Sequence, residues 1–568
     1  MSEKKINEKA TPIGIISSSR TPTIAEMIAL SPVPIGSYVY TRFQVRERIR
    51  GEDLLRDVEV IGIVTNASYQ PAVPMSILSL AREDVRETAS RTSRFNYSPM
   101  NIYVIADVSG GEATVPVYPI PPGAEVYLAH DIDPNPLERV YKRSRSEAGL
   151  IRIGSLARFR DVEIAVDVNK LYKHLLIAGA TGSGKSNAVA VLIDRISRLG
   201  APIIVFDVHG EYTSLRLEDH RTIEVVRAQI NPLEIDKSVL VRLIIPEPAA
   251  TKQRRVFRKA FREVYKEIKE KARKLNLSLP MAVEALFRSQ QEGLKEVAED
   301  LFEERGSDPD KLDAVEKFHV LMVDKIRKTG VGSSMGKVVS DVEDKYVDFI
   351  FSTPILSFDA VNPLNRISPG KIIVYDVSDL TDYQKAWILR MLAEELLDLL
   401  KRRYREEGFR SRIPPIVLVI EEAPLFISKE SDRFAKESIK KIAREGRKFG
   451  GILVVVSQRP RVLDPDISSQ IQNYLFLKLV QEEDIASVMN IADNLEESLA
   501  RTLTSLPTGW GILMGEWVGR FPALVAVDKH EGKTAGASPD LVAEWREYRE
   551  WEERGSLAPS EFPGDGVL

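Results

Sequence analysis

The sequence of 568 residues contains no cysteine and only six histidines. The lack of cysteine excludes disulfides, thiolate metal sites and cysteine nucleophiles, and it is typical of proteins from a reducing or a hot cytosol. The histidines lack the spacing of zinc ligands, which argues against a zinc hydrolase. They stand at positions 130, 174, 209, 220, 319 and 530.

Long apolar runs are missing as well. No stretch reaches the ~18 apolar residues that span a bilayer, and the first residues are charged. We therefore expect a cytoplasmic protein that does not contact a membrane. An excess of basic residues is also absent, because 79 Lys and Arg stand against 83 Asp and Glu. If nucleic acid binds, the attracting charge must be concentrated locally.

Short strands separated by proline and glycine are predicted over residues 1–150, and they favour a small β-barrel or a sandwich. The polar segment 76–98 is interpreted as a helical insertion between these strands. The predicted strands are 13–17, 38–45, 58–65, 101–108 and 125–129.

From about residue 151 apolar strands alternate with helices, which is typical of a doubly wound α/β core with a parallel sheet covered on both faces. We assign this core to residues 151–249 and 351–535, closed by a hairpin at 511–514 and 524–527. Residues 536–568 are predicted to form a polar helix at 541–553 and a tail. The predicted core strands are 175–178, 203–206, 372–375, 416–420, 452–456 and 474–480.

Residues 250–350 interrupt the core without a strand pattern and are predicted to be a helical insertion. Apolar residues from Phe257 to Ile268 recur at helical spacing on one face. The same stretch carries eleven Lys and Arg against three Glu between residues 251 and 274. Two interpretations stay open: the basic face meets a phosphate backbone, or it is a solvated helix surface.

The segment from Gly179 to Ser186 matches the phosphate-loop pattern G-x-x-x-x-G-K-[ST] between a predicted strand and a predicted helix. Its backbone N–H groups and the helix N-terminus suit phosphate oxygens. Lys185 would reach the β- and γ-phosphates, and Ser186 would bind Mg²⁺. We therefore predict ATP and Mg²⁺ as ligands. The predicted nucleotide-binding residues here are Gly179, Thr181, Gly182, Ser183, Gly184, Lys185, Ser186 and Asn187.

Two carboxylates, Glu421 and Glu422, follow the apolar run 416–420 directly. Ligands of open α/β sheets bind at this end of the strands. We predict that Glu421 helps to hold the metal and that Glu422 acts as general base toward the attacking water.

Three more side chains are candidates near the nucleotide. Gln458 follows the strand 452–456, where its amide could meet the γ-phosphate. Asp207 follows the strand 203–206 and, with Glu211, offers acidic groups near the phosphates. Gln458 and Asp207 are also common as helix or turn caps. Arg447 suits an arginine finger supplied by a neighbouring subunit, but it equally suits favourable charge at a helix C-terminus.

These residues together resemble the archaeal HerA hexameric ATPases, in the wider group that includes the FtsK chromosome translocases. The resemblance rests on NKLYKHLLIAGATGSGKSNAVAVLI, VFDVHGEY, VLVIEEAP, REGRKFGG followed by SQRP, and GRFP. It implies a RecA-like P-loop NTPase core with an N-terminal β-barrel and a helical insertion. It also implies a DNA-stimulated ATPase, assembled as a homo-hexamer, that translocates on or unwinds DNA. The implied partners are a NurA-like nuclease in double-strand break end resection and other break-repair proteins.

The resemblance also implies roles for single residues. Glu422 would be the catalytic carboxylate, Gln458 the sensor and Arg447 the finger acting across the subunit boundary. Lys173 stands where the family often has an arginine that touches nucleotide, and Gly519 and Arg520 would approach it too. The chain departs from the family pattern at Glu421, where many P-loop enzymes have Asp, and at Pro424, where the family often has His.

Other functions remain open from the sequence. The same motor could move another polymer, as a conjugation-type DNA pump or a protein remodeller does. A scaffold that only binds nucleotide is disfavoured by the Glu421–Glu422 pair, and an ABC transporter by the absence of an LSGGQ-like signature.

Overall fold

The computed structural model describes residues 11–532 and residue 546, apart from gaps within that range. The predicted helices at 76–98 and 541–553 lie outside the described residues, except for residues 98 and 546. The gaps are residues 50–51, 68–97, 111, 143–148, 220, 236, 246, 248, 304–307, 330–334, 353–354, 408–413, 432 and 493.

Six antiparallel strands form a closed barrel at the N-terminal end, in the order β1-β2-β5-β4-β3-β6. Alternate residues such as Ile16, Met27 and Val64 fill its interior and are almost fully buried. The strands are β1 (Gly14–Thr21), β2 (Ile24–Ala29), β3 (Tyr38–Ile49), β4 (Glu52–Ala67), β5 (Ser98–Asp107) and β6 (Glu125–Leu128).

The other eleven strands form one sheet, in the order β11-β12-β10-β13-β14-β9-β15-β16-β17-β7-β8. The first seven run parallel and the last four continue antiparallel. They are β7 (Leu150–Leu156), β8 (Phe159–Asp167), β9 (Leu175–Ala178), β10 (Ile203–Asp207), β11 (Glu224–Arg227), β12 (Ile372–Asp376), β13 (Ile416–Ile420), β14 (Gly451–Ser457), β15 (Asn473–Leu477), β16 (Trp510–Gly515) and β17 (Ala523–Val527).

Helices cover the sheet, and a group of them extends from its β11 edge as the insertion between β11 and β12. In chain order the helices are α1 (Leu137–Tyr141), α2 (Lys185–Arg198), α3 (Lys237–Ile244), α4 (Thr251–Leu275), α5 (Leu279–Ser289), α6 (Gln291–Leu301), α7 (Ala314–Thr329), α8 (Gly336–Ser352), α9 (Asp382–Glu407), α10 (Pro424–Ile427), α11 (Arg433–Phe449), α12 (Pro465–Ser468), α13 (Glu482–Ile491) and α14 (Glu497–Arg501). None of the helices in the described part is both long and apolar enough to cross a bilayer.

The predicted fold class is confirmed: a P-loop α/β core with an N-terminal β-barrel and a helical insertion. The barrel alternative is correct, and the hairpin of β16 and β17 forms as predicted. Four strands escaped prediction, namely β2, β7, β8 and β11. Their residues alternate between buried and exposed or are too few to form an apolar run. The run predicted at 474–480 ends as a strand at Leu477, because the next carbonyl, of Lys478, accepts from the Ala180 N–H instead.

Candidate functional site: a phosphate loop and its carboxylates

The parallel strands bring four predicted site segments to one edge of the sheet. Ser457 of β14 pairs with Ala178 of β9, and Ile420 of β13 pairs with Phe206 of β10. These pairs lie at the carboxyl ends of adjacent strands, where open α/β sheets bind ligands. The phosphate loop, Asp207, Glu421–Glu422 and Gln458 therefore lie together at what we call the phosphate edge.

The phosphate loop bends sharply between β9 and α2. Gly182 and Gly184 have φ angles of +73° and +99°, in the left-handed region that glycine enters without strain. A Cβ on Gly184 would come 3.1 Å from the backbone of Gly509. That neighbour supports the loop, since the Gly509 N–H donates to the Ser183 carbonyl and the Thr508 hydroxyl donates to the Gly182 carbonyl.

Lys185 and Ser186 open α2 with their side chains among acidic groups. The Lys185 ammonium donates to the Ala180 carbonyl at 3.1 Å, across the loop. Burial lowers the pKa of Lys185, and the carboxylates of Glu422, Glu211 and Glu421 oppose that shift. The Ser186 hydroxyl donates to Glu211 at 2.6 Å.

A buried carboxyl pair lies behind the loop. Asp207 accepts from the backbone N–H groups of Glu211 and Tyr212, at 3.1 and 2.8 Å. Glu421 accepts from the Val208 N–H at 3.2 Å and is 6% exposed. Burial, together with the charges of Asp207 and Glu211, raises the pKa of Glu421 far above its usual range. Burial also raises the pKa of Asp207. A cation bound beside Asp207 and Glu421 would therefore stabilise the ionised form of both carboxylates.

Glu422, Gln458 and Thr181 form a chain of hydrogen bonds in front of the loop. The Gln458 amide donates to the Glu422 carboxylate and accepts from the Thr181 hydroxyl, the latter at 2.6 Å. Glu422 has a φ of +40°, a conformation that a non-glycine residue rarely adopts. Such strained residues are concentrated at functional sites.

Asn187 lies one residue further along α2 and has another set of partners. Its amide N–H donates to the Asp528 carbonyl and its Oδ1 accepts from the His530 N–H, both at 2.9 Å. Both polar atoms thus tie α2 to the chain after β17. A direct contact of Asn187 with nucleotide stays a prediction.

Four predicted residues lie at the opposite edge of the sheet, the amino ends of the parallel strands. Arg447 ends α11 just before β14 and stacks over the Tyr172 ring, 4.9 Å from its centre. Lys173, before β9, pairs with Glu516. Gly519 and Arg520 follow Gly515, which pairs with Asn473 at the start of β15. Seven residues of β14 separate the two edges, about 20 Å at the usual strand rise.

Buried His174 organises this second edge and escaped prediction as a functional residue. Its Nδ1 accepts from the Leu453 N–H at 3.1 Å, so the Nε2–H donates to the Ala443 carbonyl at 2.9 Å. Burial lowers the pKa of His174, which keeps the ring neutral. The contacts of Thr508 and Gly509 at the phosphate edge were also missed. The only sequence signal for them is a Thr-Gly pair before β16.

The residues present fit a nucleotide phosphate and a divalent cation. The Ser183 hydroxyl is buried and lacks a hydrogen-bond partner within the described part of the chain. The Ser186 hydroxyl and the carboxylates of Glu211, Asp207 and Glu421 offer the oxygen ligands that Mg²⁺ prefers. A bound phosphate would supply the hydrogen-bond partner that the Ser183 hydroxyl lacks.

Comparison with known proteins gives a consistent family. Residues 151–396 match the family described as "Helicase HerA, central domain". The "DNA double-strand break repair helicase HerA" of Saccharolobus solfataricus is 30% identical over 95% of this chain and 97% of its own length. The protein of the same name from Sulfurisphaera tokodaii is 31% identical over the same shares of both chains.

Solved structures also match, at lower similarity. VirB4 of Thermoanaerobacter pseudethanolicus is 17% identical, covers 68% of this chain and 99% of its own, and has a TM-score of 0.42. The conjugative coupling protein TrwB covers 70% of this chain and 92% of its own, at 15% identity and a TM-score of 0.38. The near-complete coverage of the sequence relatives is decisive, and the resemblance predicted from the motifs is confirmed: the chain belongs to the HerA helicase family.

Proposed function

We propose that this protein is an ATP-hydrolysing motor that works as a homo-hexameric ring, translocates on or unwinds DNA, and acts with a NurA-like nuclease in resecting double-strand breaks. The relatives named as DNA double-strand break repair helicases support the cargo and the process. They also support work in the cytoplasm, beside the chromosome. The observation that carries hydrolysis is the Thr181–Gln458–Glu422 chain, which joins the phosphate loop to a carboxylate.

Nucleotide binding follows from the loop. In this proposal the loop N–H groups and the N-terminus of α2 hold the phosphates, and Lys185 leaves the Ala180 carbonyl to contact the β- and γ-phosphates. Ser186 and Glu421 are the residues that would hold a divalent cation there. Mg²⁺, when bound there, neutralises charge that develops on the phosphate oxygens.

Hydrolysis uses Glu422 and Gln458. Glu422 accepts a proton from a water molecule whose oxygen forms a bond to the γ-phosphorus. The bond from that phosphorus to the β–γ bridging oxygen breaks, and the electron pair leaves with ADP. Gln458, which is hydrogen-bonded to Glu422, orients the water or the γ-phosphate. Because Gln458 directly follows β14, it would transmit the state of the nucleotide to that strand.

The second edge of the sheet supports the proposed ring. Arg447 and Lys173 lie about 20 Å along the strands from their own phosphate loop. A guanidinium that stabilises the transferred phosphoryl group must come close to it. In a ring, Arg447, Lys173, Gly519 and Arg520 of one subunit would face the phosphate edge of the next, so hydrolysis would depend on assembly. The barrel is then the free surface for the nuclease.

The test is ATP turnover with and without duplex DNA, in a preparation sized as a hexamer by light scattering. Turnover should rise on adding DNA, and Lys185→Ala should abolish it. Lys142→Ala is the matched control, because that lysine is 67% exposed and, among the described residues, pairs with Glu138 alone. Turnover that DNA leaves unchanged, or that a polypeptide stimulates instead, would contradict the DNA motor.

A further inference from the structure

Helix α4 of the insertion has two opposed faces. Its apolar side chains, such as Phe257, Phe261 and Ile268, are buried against the rest of the insertion. The other face carries charge, and residues 251–275 contain eleven Lys and Arg against three Glu. At 100° per residue, six of the cations fall within an arc of about 80° directly opposite the buried stripe. One of them, Lys266, pairs with Glu270 at 3.8 Å, and the other five form no ion pair in the described part of the chain. We call these five the basic ridge: Arg255, Lys259, Arg262, Lys269 and Arg273.

All five side chains of the basic ridge are exposed, and none forms an ion pair with another described residue. The neighbouring acids Glu267 and Glu270 pair instead with Lys325 and Lys266. Lys269 instead lies over the Tyr265 ring, 4.7 Å from its centre, and Lys237 lies 4.2 Å from the same ring. From Arg255 to Arg273 the ridge is about 27 Å long at 1.5 Å per residue.

More positive charge lies at the start of α4. Burial and the neighbouring guanidinium groups of Arg242, Arg390 and Arg258 lower the pKa of Arg254. Acids partly compensate this group, because Glu394 pairs with both Arg242 and Arg390 and Glu247 opposes the pKa shift of Arg254. The rest of the insertion, residues 276–352, has the opposite balance to α4, with sixteen Asp and Glu against ten Lys and Arg. Within the insertion the excess of positive charge therefore lies on α4, as local recognition of a polyanion requires.

The basic ridge is separate from the nucleotide site. The insertion leaves the sheet after β11, an edge strand, whereas the phosphate loop follows β9, five strands away. At about 4.8 Å per strand that separation is about 24 Å across the sheet. Charge at the ridge can thus be removed without touching Lys185 or Glu422.

We propose that the basic ridge of α4 is a second DNA-binding surface, which holds the phosphate backbone of duplex DNA without reading its sequence. It rests on the proposed function, because that function supplies the DNA. Duplex DNA carries one charge per ~1.7 Å, so a ridge of this length meets more phosphates than it has cations. We expect no sequence preference, because contacts from Lys and Arg to phosphate oxygens carry no sequence information.

The experiment compares two triple variants of the full-length protein with the wild type. Arg255→Gln with Lys259→Gln and Arg262→Gln removes three ridge charges and keeps good helix formers. The control removes three exposed charges outside α4, as Lys142→Gln with Lys295→Gln and Lys311→Gln. Among the described residues, each of these lysines pairs with a near neighbour in sequence. Filter binding of duplex DNA is measured over a salt series, on two duplexes of unrelated sequence, with ring size and thermal unfolding recorded for every variant.

We expect the ridge variant to bind both duplexes more weakly than the control. Its slope of log affinity against log salt should fall by about 0.9 for each phosphate that the variant no longer neutralises. Wild-type affinity and slope in the ridge variant would overturn the ridge proposal alone. Weaker assembly with unchanged DNA binding would overturn it too, because the ridge would then contact a neighbouring subunit. Failure of the wild type itself to bind DNA would instead contradict the proposed function. If the triple variant unfolds, the single variant Arg262→Glu is tested instead, and its DNA affinity and salt slope are judged by the same criteria.

Discussion

Gln458 joins the phosphate loop to Glu422 through a single amide, since it accepts from Thr181 and donates to Glu422. At the scale of single residues, the sequence motifs predicted which residue types meet at the phosphate edge, because Lys185, Glu422 and Gln458 each follow a recognisable strand. The contact of Ser186 with Glu211 could not be predicted, because it depends on how the loop after β10 folds back, held by Asp207.

Glu422→Gln should lower the ATP turnover number by about 10²–10⁴, because an amide cannot accept the proton of the attacking water. Nucleotide affinity should change little, since the loop that holds the phosphates is intact. Glu430→Gln is the control, with the same charge change at an exposed carboxylate. Steady-state ATPase assays and binding of a fluorescent ATP analogue measure both quantities. Full turnover in Glu422→Gln would remove its assignment as general base.

His319 of α7 is buried among the insertion helices, where its Nδ1 meets the Tyr346 hydroxyl of α8 at 2.9 Å. Burial lowers the pKa of His319 to about 4, below its value of ~6.5 in the unfolded chain. Between these two pKa values, the His319 ring is protonated in the unfolded state and neutral in the folded state. The stabilisation is complete above pH ~6.5 and is lost as the pH falls toward 4, by up to about 3 kcal/mol.

His319→Gln should weaken this acid destabilisation, since an amide keeps a hydrogen bond and does not titrate. Thermal unfolding midpoints at pH 7, 6, 5 and 4 measure the effect. His130→Gln, at a residue whose side chain is 49% exposed, is the control and should follow the wild type. Parallel pH profiles of His319→Gln and wild type would contradict the prediction.

At the scale of helices and strands, the sequence pattern predicts an element only when its burial produces a recognisable order of apolar residues. The apolar runs predicted the parallel strands because burial on both faces requires continuous apolar residues. The antiparallel half of the sheet was partly missed, since β7 and β8 carry polar residues on one face. The helical insertion was predicted correctly, because helical periodicity is strong over segments as long as α4.

Gly184→Ala should abolish nucleotide binding, because the φ of +99° strains any other residue and the added Cβ meets the Gly509 backbone at 3.1 Å. Gly293→Ala is the matched control. That glycine lies in α6 with nothing within 4 Å of a Cβ, so the variant should be as stable as wild type or more so by about 0.5–1 kcal/mol. Isothermal titration calorimetry with an ATP analogue measures nucleotide binding by both variants, and thermal unfolding measures their stability. Normal binding by Gly184→Ala would show that the loop can rearrange.

At the scale of the whole molecule, the proposed ring would make each chain the carrier of two incomplete half-sites. The phosphate edge carries the loop and the carboxylates, and the amino edge carries Arg447 and Lys173, about 20 Å away. A ring that joins unlike edges of neighbouring subunits would complete each site.

Mixing Arg447→Ala subunits with Glu422→Gln subunits should restore part of the ATPase activity, although each variant alone is inactive. Mixed rings then contain interfaces that combine an intact Arg447 with an intact Glu422. Turnover is measured against the mixing ratio, after native mass spectrometry has shown that subunits exchange. No recovery in proven mixed rings would mean that Arg447 acts within its own chain or only stabilises the fold.

The sequence by itself determined the chemistry of the phosphate edge, because a phosphate loop needs particular residues in a fixed order between a strand and a helix. It also determined the parallel core and the helical insertion, through hydrophobic periodicity. Only the tertiary structure decided which groups meet across the chain. Strand order brings Glu422 to Thr181 through Gln458 and leaves Arg447 at the far edge, and packing of α4 turns a basic segment into an exposed ridge. Such contacts depend on the pairing of distant strands and helices, which local patterns do not record.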